Sequence, residues 1–360
     1  MTNQKIVFVL SSLQAGGSER VFWLLANELA ATNQVTLVVI NGANPFYTNP
    51  HPKLNLVNLN CSGASKAVWP LIKAVRAIHP DKLYVTGTHL NVLVALLKPF
   101  LAARQFIARE SNIGFEMGQH ESAANWRSKL TFALIPILYK RFDAVIAQSQ
   151  AMQSALLQHF KIAAAKVLVI PNPCPYNAVT HQRPDPQHEV KLLAIGRFSA
   201  EKGHARLIET MQSLPENYSL AIYGYGPLQA RLQSLIQELK LEHRVQLQGK
   251  ATAVFELCAA ADLLVLPSFT EGFPNVVLEA LAVGTPVISF ETGGSAELLE
   301  NGVNGFIVPQ SAGIKGLAAA ILKAKDIKWN YDSIKNATLE RFSLSRIAQA
   351  YLSLNGRKEL

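Results

Sequence analysis

The sequence predicts an α/β protein of two domains, each a doubly wound parallel sheet. Three observations carry that expectation. Short apolar runs of strand length recur between stretches with helical spacing, the pattern of parallel strands covered on both faces by helices. A break with five prolines, from Pro171 to Glu189, interrupts this alternation once, and the alternation then restarts. A chain of 360 residues with 49% hydrophobic content is long for one core and comfortable for two. The expected domains are residues 1–172 and 173–340, followed by a helical stretch over about 341–360 with Ile347, Tyr351 and Leu354 on one side.

In the first half the runs predict strands over 6–10, 35–40, 82–85, 106–109, 144–147 and 167–170, with an alternating stretch over 54–59. Helices are expected over 18–31, where Val21, Leu24, Leu25 and Leu29 share one face, and over 68–78, 91–97 and 152–159. In the second half the alternation resumes through 192–195, 207–214, 220–223, 228–239, 245–247, 254–260 and 263–266. The last of these opens the most informative stretch. An apolar strand, Leu263-Leu264-Val265-Leu266, is ended by Pro267, and Pro274 has a ring suited to the first position of a helix. That helix runs over Val276 to Val283 and is closed by Gly284. Glu271 lies in the loop and Glu279 about one turn into the helix. Helix N-termini attract anions. Two carboxylates there are poor phosphate ligands and better acceptors from hydroxyl groups, so the pair suits a phosphate flanked by hydroxyl-rich rings, a nucleotide-sugar. A surface helix residue at Glu279 and a cap at Glu271 is the plainer alternative.

Glu271 and Glu279, eight apart, with Gly272-Phe273-Pro274-Asn275 after the first and Ala280, Leu281, Gly284, Thr285, Pro286, Val287 and Ile288 beyond the second, resemble the glutamate-pair signature of retaining glycosyltransferases of family 4, the group 1 type. The resemblance implies the GT-B fold, two facing Rossmann-like domains with a cleft between them, in which a C-terminal helix commonly crosses back onto the first domain. It extends to other loops. Gly16-Gly17-Ser18-Glu19-Arg20 follows the first strand and resembles the family loop that approaches the donor phosphates; it lacks the G-x-G-x-x-G spacing of a dinucleotide site. Gly196-Arg197 and Lys202-Gly203 match the family's element in the second domain, where Arg197 offers a fork and Lys202 a point charge for a diphosphate. Gly224-Tyr225-Gly226-Pro227 matches a turn whose glycines allow close packing against the nucleotide, Gly249-Lys250 a loop that meets the base, and Pro171-Asn172 a structural turn before the hinge. His89, after the strand over 82–85, resembles the histidine placed beside the transferred sugar. Arg109 and Glu110, at another strand end, are candidate acceptor contacts. Glu271 is expected on the donor sugar's hydroxyls and Glu279 on the ribose.

Charge is uneven. Residues 1–172 hold 16 Lys and Arg against 7 Asp and Glu, while the remainder is balanced, so the net +9 belongs to the first half. An anionic partner is expected there. Trp126 to Arg141, basic at both ends and apolar between, reads either as a bilayer-interface segment or as a core helix kinked at Pro136. No Asp-x-Asp occurs, so no metal cofactor is expected, with Arg197, Lys202 and helix ends neutralising the leaving group. The three cysteines have no metal-ligand spacing and read as buried thiols. No signal peptide or membrane span is visible, and no aromatic-basic interleaving suggests nucleic acid. The resemblance therefore implies transfer of a hexose or N-acetylhexosamine from a UDP-sugar to a hydroxyl of a lipid-linked saccharide, in bacterial surface polysaccharide assembly (lipopolysaccharide, O-antigen or capsule), by a cytoplasmic enzyme peripheral at the inner face of the membrane. A nucleotide-sugar epimerase on the same fold and a non-catalytic nucleotide-sugar binder are the alternatives.

Overall fold

The computed structural model describes residues 3–111, 134–175, 177–182 and 189–354. Two compact units are present, one of Met1–Pro175 with Leu344–Leu360, the other of Tyr176–Ser343. In unit one the strands are β1 (Lys5–Ser12), β2 (Gln34–Asn41), β3 (Asn55–Asn58), β4 (Lys82–Thr86), β5 (Gln105–Arg109), β6 (Ala144–Ala147) and β7 (Val167–Val169). They form one parallel sheet in the order β3-β2-β1-β4-β5-β6-β7. Unit two contributes β8 (Val190–Ile195), β9 (Tyr218–Tyr223), β10 (Val245–Gln248), β11 (Leu263–Leu266), β12 (Val287–Phe290) and β13 (Gly305–Val308), parallel in the order β10-β9-β8-β11-β12-β13.

Both sheets therefore grow outward first in one direction and then in the other. Each has a point where the order reverses, between β1 and β4 and between β8 and β11, and loops leaving adjacent strands there diverge to open a crevice at the strands' carboxyl ends. The strand periodicity explains the layers. Val7, Val9, Val38, Leu83 and Val85 face one core of unit one, while Ile6, Phe8, Leu10, Val35, Leu37 and Tyr84 face the other. The second face is closed by the helix Gly17–Ala30 and by the C-terminal helix Leu344–Leu352, whose Ile347, Ala348 and Tyr351 are buried in it. The Tyr84 hydroxyl and the Lys82 ammonium donate to the carbonyls of Tyr351 and Leu352, which satisfies acceptors left open where the helix ends.

Several expectations need adjustment. The helix after β4 starts at Thr88, not 91, because Gly87 adopts φ +93° and turns the chain directly into it. Pro274 caps the helix Asn275–Val283 from outside and is not its first residue; Gly284 closes it at φ +99° as expected. Between β12 and the C-terminal helix the structure adds β13 and the helices Gly313–Lys325 and Tyr331–Phe342, beyond the elements expected from the sequence. The proline-rich break is anchored where it is described: Asn172 and Cys174 are buried, and the amides of His181 and Gln182 donate to Val283 and Ala259 carbonyls. Cys258 is buried too, but Cys61 is only half-buried. Of the basic-apolar segment 126–141, residues 126–133 lie outside the described residues; in the rest, Ile135 and Tyr139 are buried and Ile137 is 63% exposed, so this part packs one side into the core. Among the described residues no helix is long and apolar enough to cross a membrane.

Candidate active site

At the β8/β11 reversal of unit two, the loop after β8 and the loop after β11 are fastened together. The Lys202 Nζ lies 2.7 Å from the Glu271 Oε1, which also accepts from the Ser268 hydroxyl at 2.7 Å. The Phe269 amide donates to the Glu201 carbonyl at 2.8 Å. Backbone contact is so close that a Cβ on Gly203, at φ +63°, would lie 2.1 Å from the Pro267 carbonyl oxygen. Only glycine serves there. The ion pair is partly screened, with the Lys202 side chain 26% and the Glu271 side chain 12% exposed, so both groups reach solvent and a ligand there meets them together. Arg197 is exposed on the same loop.

Beneath this loop lie a neutral histidine and a half-buried arginine. His204 is buried edge-on against Phe198, and burial lowers its pKa to about 4. Arg206, in the same helix, donates to the carbonyls of Pro267 and Ser268 and to the Gln310 side chain. Its guanidinium lies against the rings of Phe269 and Phe290, and burial lowers its pKa to about 10. Gly224 and Gly226 pack against the 196–198 loop: a Cβ would lie 2.0 Å from the Gly196 oxygen and 2.6 Å from the Phe198 oxygen. Their missing side chains are thus required by neighbouring backbone, where the sequence suggested contact with nucleotide. Phe273 turns inward against Phe342, with ring centroids 6.0 Å apart. Gly272 and Pro274 are buried in the same turn, and Asn275 is half-buried as the first helical residue. Glu279 is on the inner side of that helix and buried. Lys250 is exposed just beyond β10, two strands away from β8.

At the β1/β4 reversal of unit one, Gly16 precedes the helix Gly17–Ala30, and its carbonyl accepts from the Tyr47 hydroxyl at 3.3 Å and the Arg20 amide at 2.9 Å. The Glu19 carboxylate folds over Gly16, where a Cβ would lie 2.1 Å from its Oε2. His89 is exposed in the first turn of the helix Thr88–Leu97. Arg109 and Glu110 do not sit as the sequence suggested. They are 1% and 2% exposed. Arg109 donates to Asn172 Oδ1 at 2.6 Å and to Thr86 Oγ1 at 3.3 Å, while Glu110 accepts from Tyr139 at 2.5 Å, Thr88 at 3.2 Å and the Ser111 amide at 3.1 Å. This geometry makes them internal braces of the 86–89 and 172 turns and gives an acceptor contact no support.

The structure thus brings Lys202 and Glu271 together, keeps Arg197 on their loop, and puts His89 and Gly16-Gly17 at the matching reversal of the other unit. Sequence reasoning missed Ser268, Arg206 and Gln310, which hold the Glu271 loop; nothing in their spacing signals it, because the contacts join separate elements. Among the described residues, no three His, Cys, Asp or Glu side chains cluster as metal ligands would.

Two families match the chain: Glycosyl transferases group 1 over residues 180–341 and Glycosyltransferase Family 4 over residues 15–176. The chain is 26% identical over 326 residues to the Campylobacter jejuni N-acetylgalactosamine-N,N'-diacetylbacillosaminyl-diphospho-undecaprenol 4-alpha-N-acetylgalactosaminyltransferase, covering 85% of this chain and 86% of that one. A second Campylobacter jejuni protein, a GalNAc-alpha-(1->4)-GalNAc-alpha-(1->3)-diNAcBac-PP-undecaprenol alpha-1,4-N-acetyl-D-galactosaminyltransferase, is 23% identical over 361 residues, covering 97% and 98%. Among solved structures, Anabaena HepE in complex with UDP and glucose matches with a TM-score of 0.77 at 23% identity, over 97% of this chain and 98% of that one. Sucrose-phosphate synthase from Thermosynechococcus elongatus matches with a TM-score of 0.80 at 20% identity, over 97% of each chain. The chain belongs to the group 1, family 4 glycosyltransferases and has their GT-B α/β fold of two Rossmann-like domains.

Proposed function

We propose that the protein is a retaining, metal-independent hexosyltransferase, moving a hexose or N-acetylhexosamine from a UDP-sugar to a hydroxyl of a lipid-linked saccharide. The observation that carries this reading is the Lys202–Glu271 pair at the β8/β11 reversal, a cation beside a carboxylate at the place where such sheets bind ligands. In the reaction the bond from the anomeric carbon to the diphosphate breaks and its electrons leave with UDP. Arg197 and Lys202 balance the charge that develops on the phosphate oxygens. Glu271 accepts hydrogen bonds from the sugar's hydroxyls, Glu279 from the ribose, and His89 lies beside the sugar. The acceptor oxygen forms its bond on the face the diphosphate vacates, and its proton passes to a phosphate oxygen of the departing UDP.

The relatives support the finer points: Anabaena HepE is solved in complex with UDP and glucose, and both Campylobacter transferases are named for undecaprenol-diphosphate-linked saccharides. A membrane-bound acceptor fits the basic first half, net +9 over residues 1–172, and the exposed Trp69, Phe100 and Ile137 of unit one. These features support peripheral contact with an anionic membrane. A panel of UDP-glucose, UDP-galactose and their N-acetylated counterparts, incubated with undecaprenyl-diphosphate-linked saccharides in the presence of EDTA, tests the proposal. One donor is expected to give an α-linked product and free UDP without added metal. Activity only with Mg2+ or Mn2+, inversion at the anomeric carbon, or release of an altered free sugar without acceptor would each contradict it.

A further inference from the structure

We propose that Arg206 is a positioning residue of this site, acting on the donor solely by holding the Pro267–Glu271 loop so that Glu271 faces Lys202. The inference rests on the Lys202–Glu271 reading above and adds a residue to it. Strand β11 ends at Leu266, so the carbonyls of Pro267 and Ser268 leave the ladder and need other donors. Arg206 supplies both: Nε donates to the Pro267 oxygen at 2.6 Å and Nη2 to the Ser268 oxygen at 2.6 Å. Its remaining arm, Nη1, donates to Gln310 Oε1 at 2.8 Å. Gln310 in turn donates through Nε2 to the carbonyls of Ser268 at 3.2 Å, Phe269 at 3.4 Å and Glu291 at 2.9 Å. The guanidinium plane is held between two rings, its carbon 3.8 Å from the Phe269 centroid and 3.6 Å from that of Phe290.

All of these partners are neutral. The fork is therefore aimed at loop backbone, with geometry that a lysine's point charge cannot reproduce. From the clamped Ser268 one further step reaches the site, because the Ser268 hydroxyl donates to Glu271 Oε1 at 2.7 Å. Arg206 itself stands on the helix His204–Met211, directly after the loop that carries Lys202. One side chain thus ties the element holding the cation to the loop holding the carboxylate. Loss of the clamp frees the loop while leaving Arg197 and Lys202, the diphosphate's proposed partners, on their own loop.

The test compares Arg206→Gln, Arg206→Lys, Glu271→Ala and the double variant Arg206→Gln/Glu271→Ala, using UDP release from the fastest donor of the panel and UDP binding by calorimetry. Arg206→Gln is expected to lower kcat by about 10- to 100-fold, the effect of a small misplacement, while the KM for donor and the Kd for UDP stay within about threefold. Arg206→Lys is expected to recover little of the rate. The double variant should be no slower than Glu271→Ala, because the two changes remove one interaction. If Glu271→Ala is slow and Arg206→Gln slows it further by its full factor, Arg206 acts independently and the proposal fails while the site reading stands. If Glu271→Ala turns over at the wild-type rate, the site reading fails and takes this proposal with it. Should Arg206→Gln not fold, Gln310→Ala, which removes only the buttress, is expected to show a smaller loss with the same non-additivity, and full additivity there overturns the proposal. A crystal structure of Arg206→Lys needs no donor: Glu271 is expected beyond about 4 Å from Lys202, outside ion-pair range, and an unchanged pair would contradict the inference.

Discussion

At the β8/β11 reversal of unit two, a cation and a carboxylate meet near solvent, over the buried His204 and the half-buried Arg206, whose guanidinium lies against aromatic rings and loop carbonyls. At the β1/β4 reversal of unit one the arrangement differs. The surface there carries Gly16-Gly17, His89 and the partly exposed Glu19 and Arg20, and a further arginine and carboxylate, Arg109 and Glu110, are buried behind it. Two sheets of the same strand order therefore divide the work differently. Both units brace their loops with an internal arginine, Arg206 in unit two and Arg109 in unit one, but unit two also presents a cation and a carboxylate to solvent and must hold them in place. Chemistry that depends on neutralising a leaving group should be sensitive to single charges in unit two and to loop geometry in unit one.

The largest expected effect follows from that division. Lys202→Ala should lower kcat/KM by about 10²- to 10³-fold, the cost of removing one group that stabilises transition-state charge. His89→Ala should cost about tenfold or less, since the imidazole is exposed at the first turn of its helix and among the described residues is held by no ion pair. Steady-state kinetics on both variants check this, and a larger loss at His89 would break the comparison.

The two interiors should also respond differently to acid. His181 stacks on Tyr331, hydrogen-bonds Thr285 and, like His204, has a pKa lowered to about 4 by burial. Folded unit two refuses protons that the unfolded chain accepts below its ordinary histidine pKa, about 6.5. Stability present above pH 6.5 is therefore lost as pH falls toward 4, at up to about 1.4 kcal/mol per pH unit for each group. The described histidines of unit one, His51, His79, His89 and His159, are not buried. Hydrogen exchange at pH 7 and pH 5 should show protection lost first in unit two, and His181→Phe should flatten the dependence. Equal loss in both units would remove the distinction.

The smallest expected effect concerns the surface. Each exposed cation near an anionic bilayer contributes about 1 kcal/mol, screened over about 8–10 Å. The protein should float with phosphatidylglycerol vesicles better than with phosphatidylcholine vesicles and lose the preference in high salt. Unit two, Tyr176–Ser343, holds 15 Lys and Arg against 17 Asp and Glu and offers no such attraction. Equal flotation with both lipids would remove the electrostatic argument.

Much of this arrangement was legible in the sequence because strand-loop-helix motifs are local. A run such as Leu263-Leu264-Val265-Leu266, fully buried as expected, fixes where its loop begins, and so where Glu271 lies. Lys202 was legible in the same way. What the sequence did not disclose is which loops touch. Arg206 and Gln310 are 104 positions apart and meet although they follow β8 and β13, strands that β11 and β12 separate in the sheet. Arg109 illustrates the opposite limit. A cation at a strand end reads as ligand-facing, yet Thr86 and Asn172 on neighbouring segments enclose it, and burial cannot be read from a strand end alone. The glycines 224 and 226 were noticed for their missing side chains, but the neighbour that requires this is protein backbone.

The central claim is that Glu271 acts on the transferred sugar from a loop held against Lys202. Kinetics and calorimetry on Glu271→Ala test it most directly. The account predicts that turnover at saturating donor falls by about 10²-fold or more, as for a group that orients the reacting sugar, while the Kd for UDP alone stays within about threefold. A variant that kept its rate at saturating donor and lost affinity for UDP would assign Glu271 to the nucleotide and contradict the account.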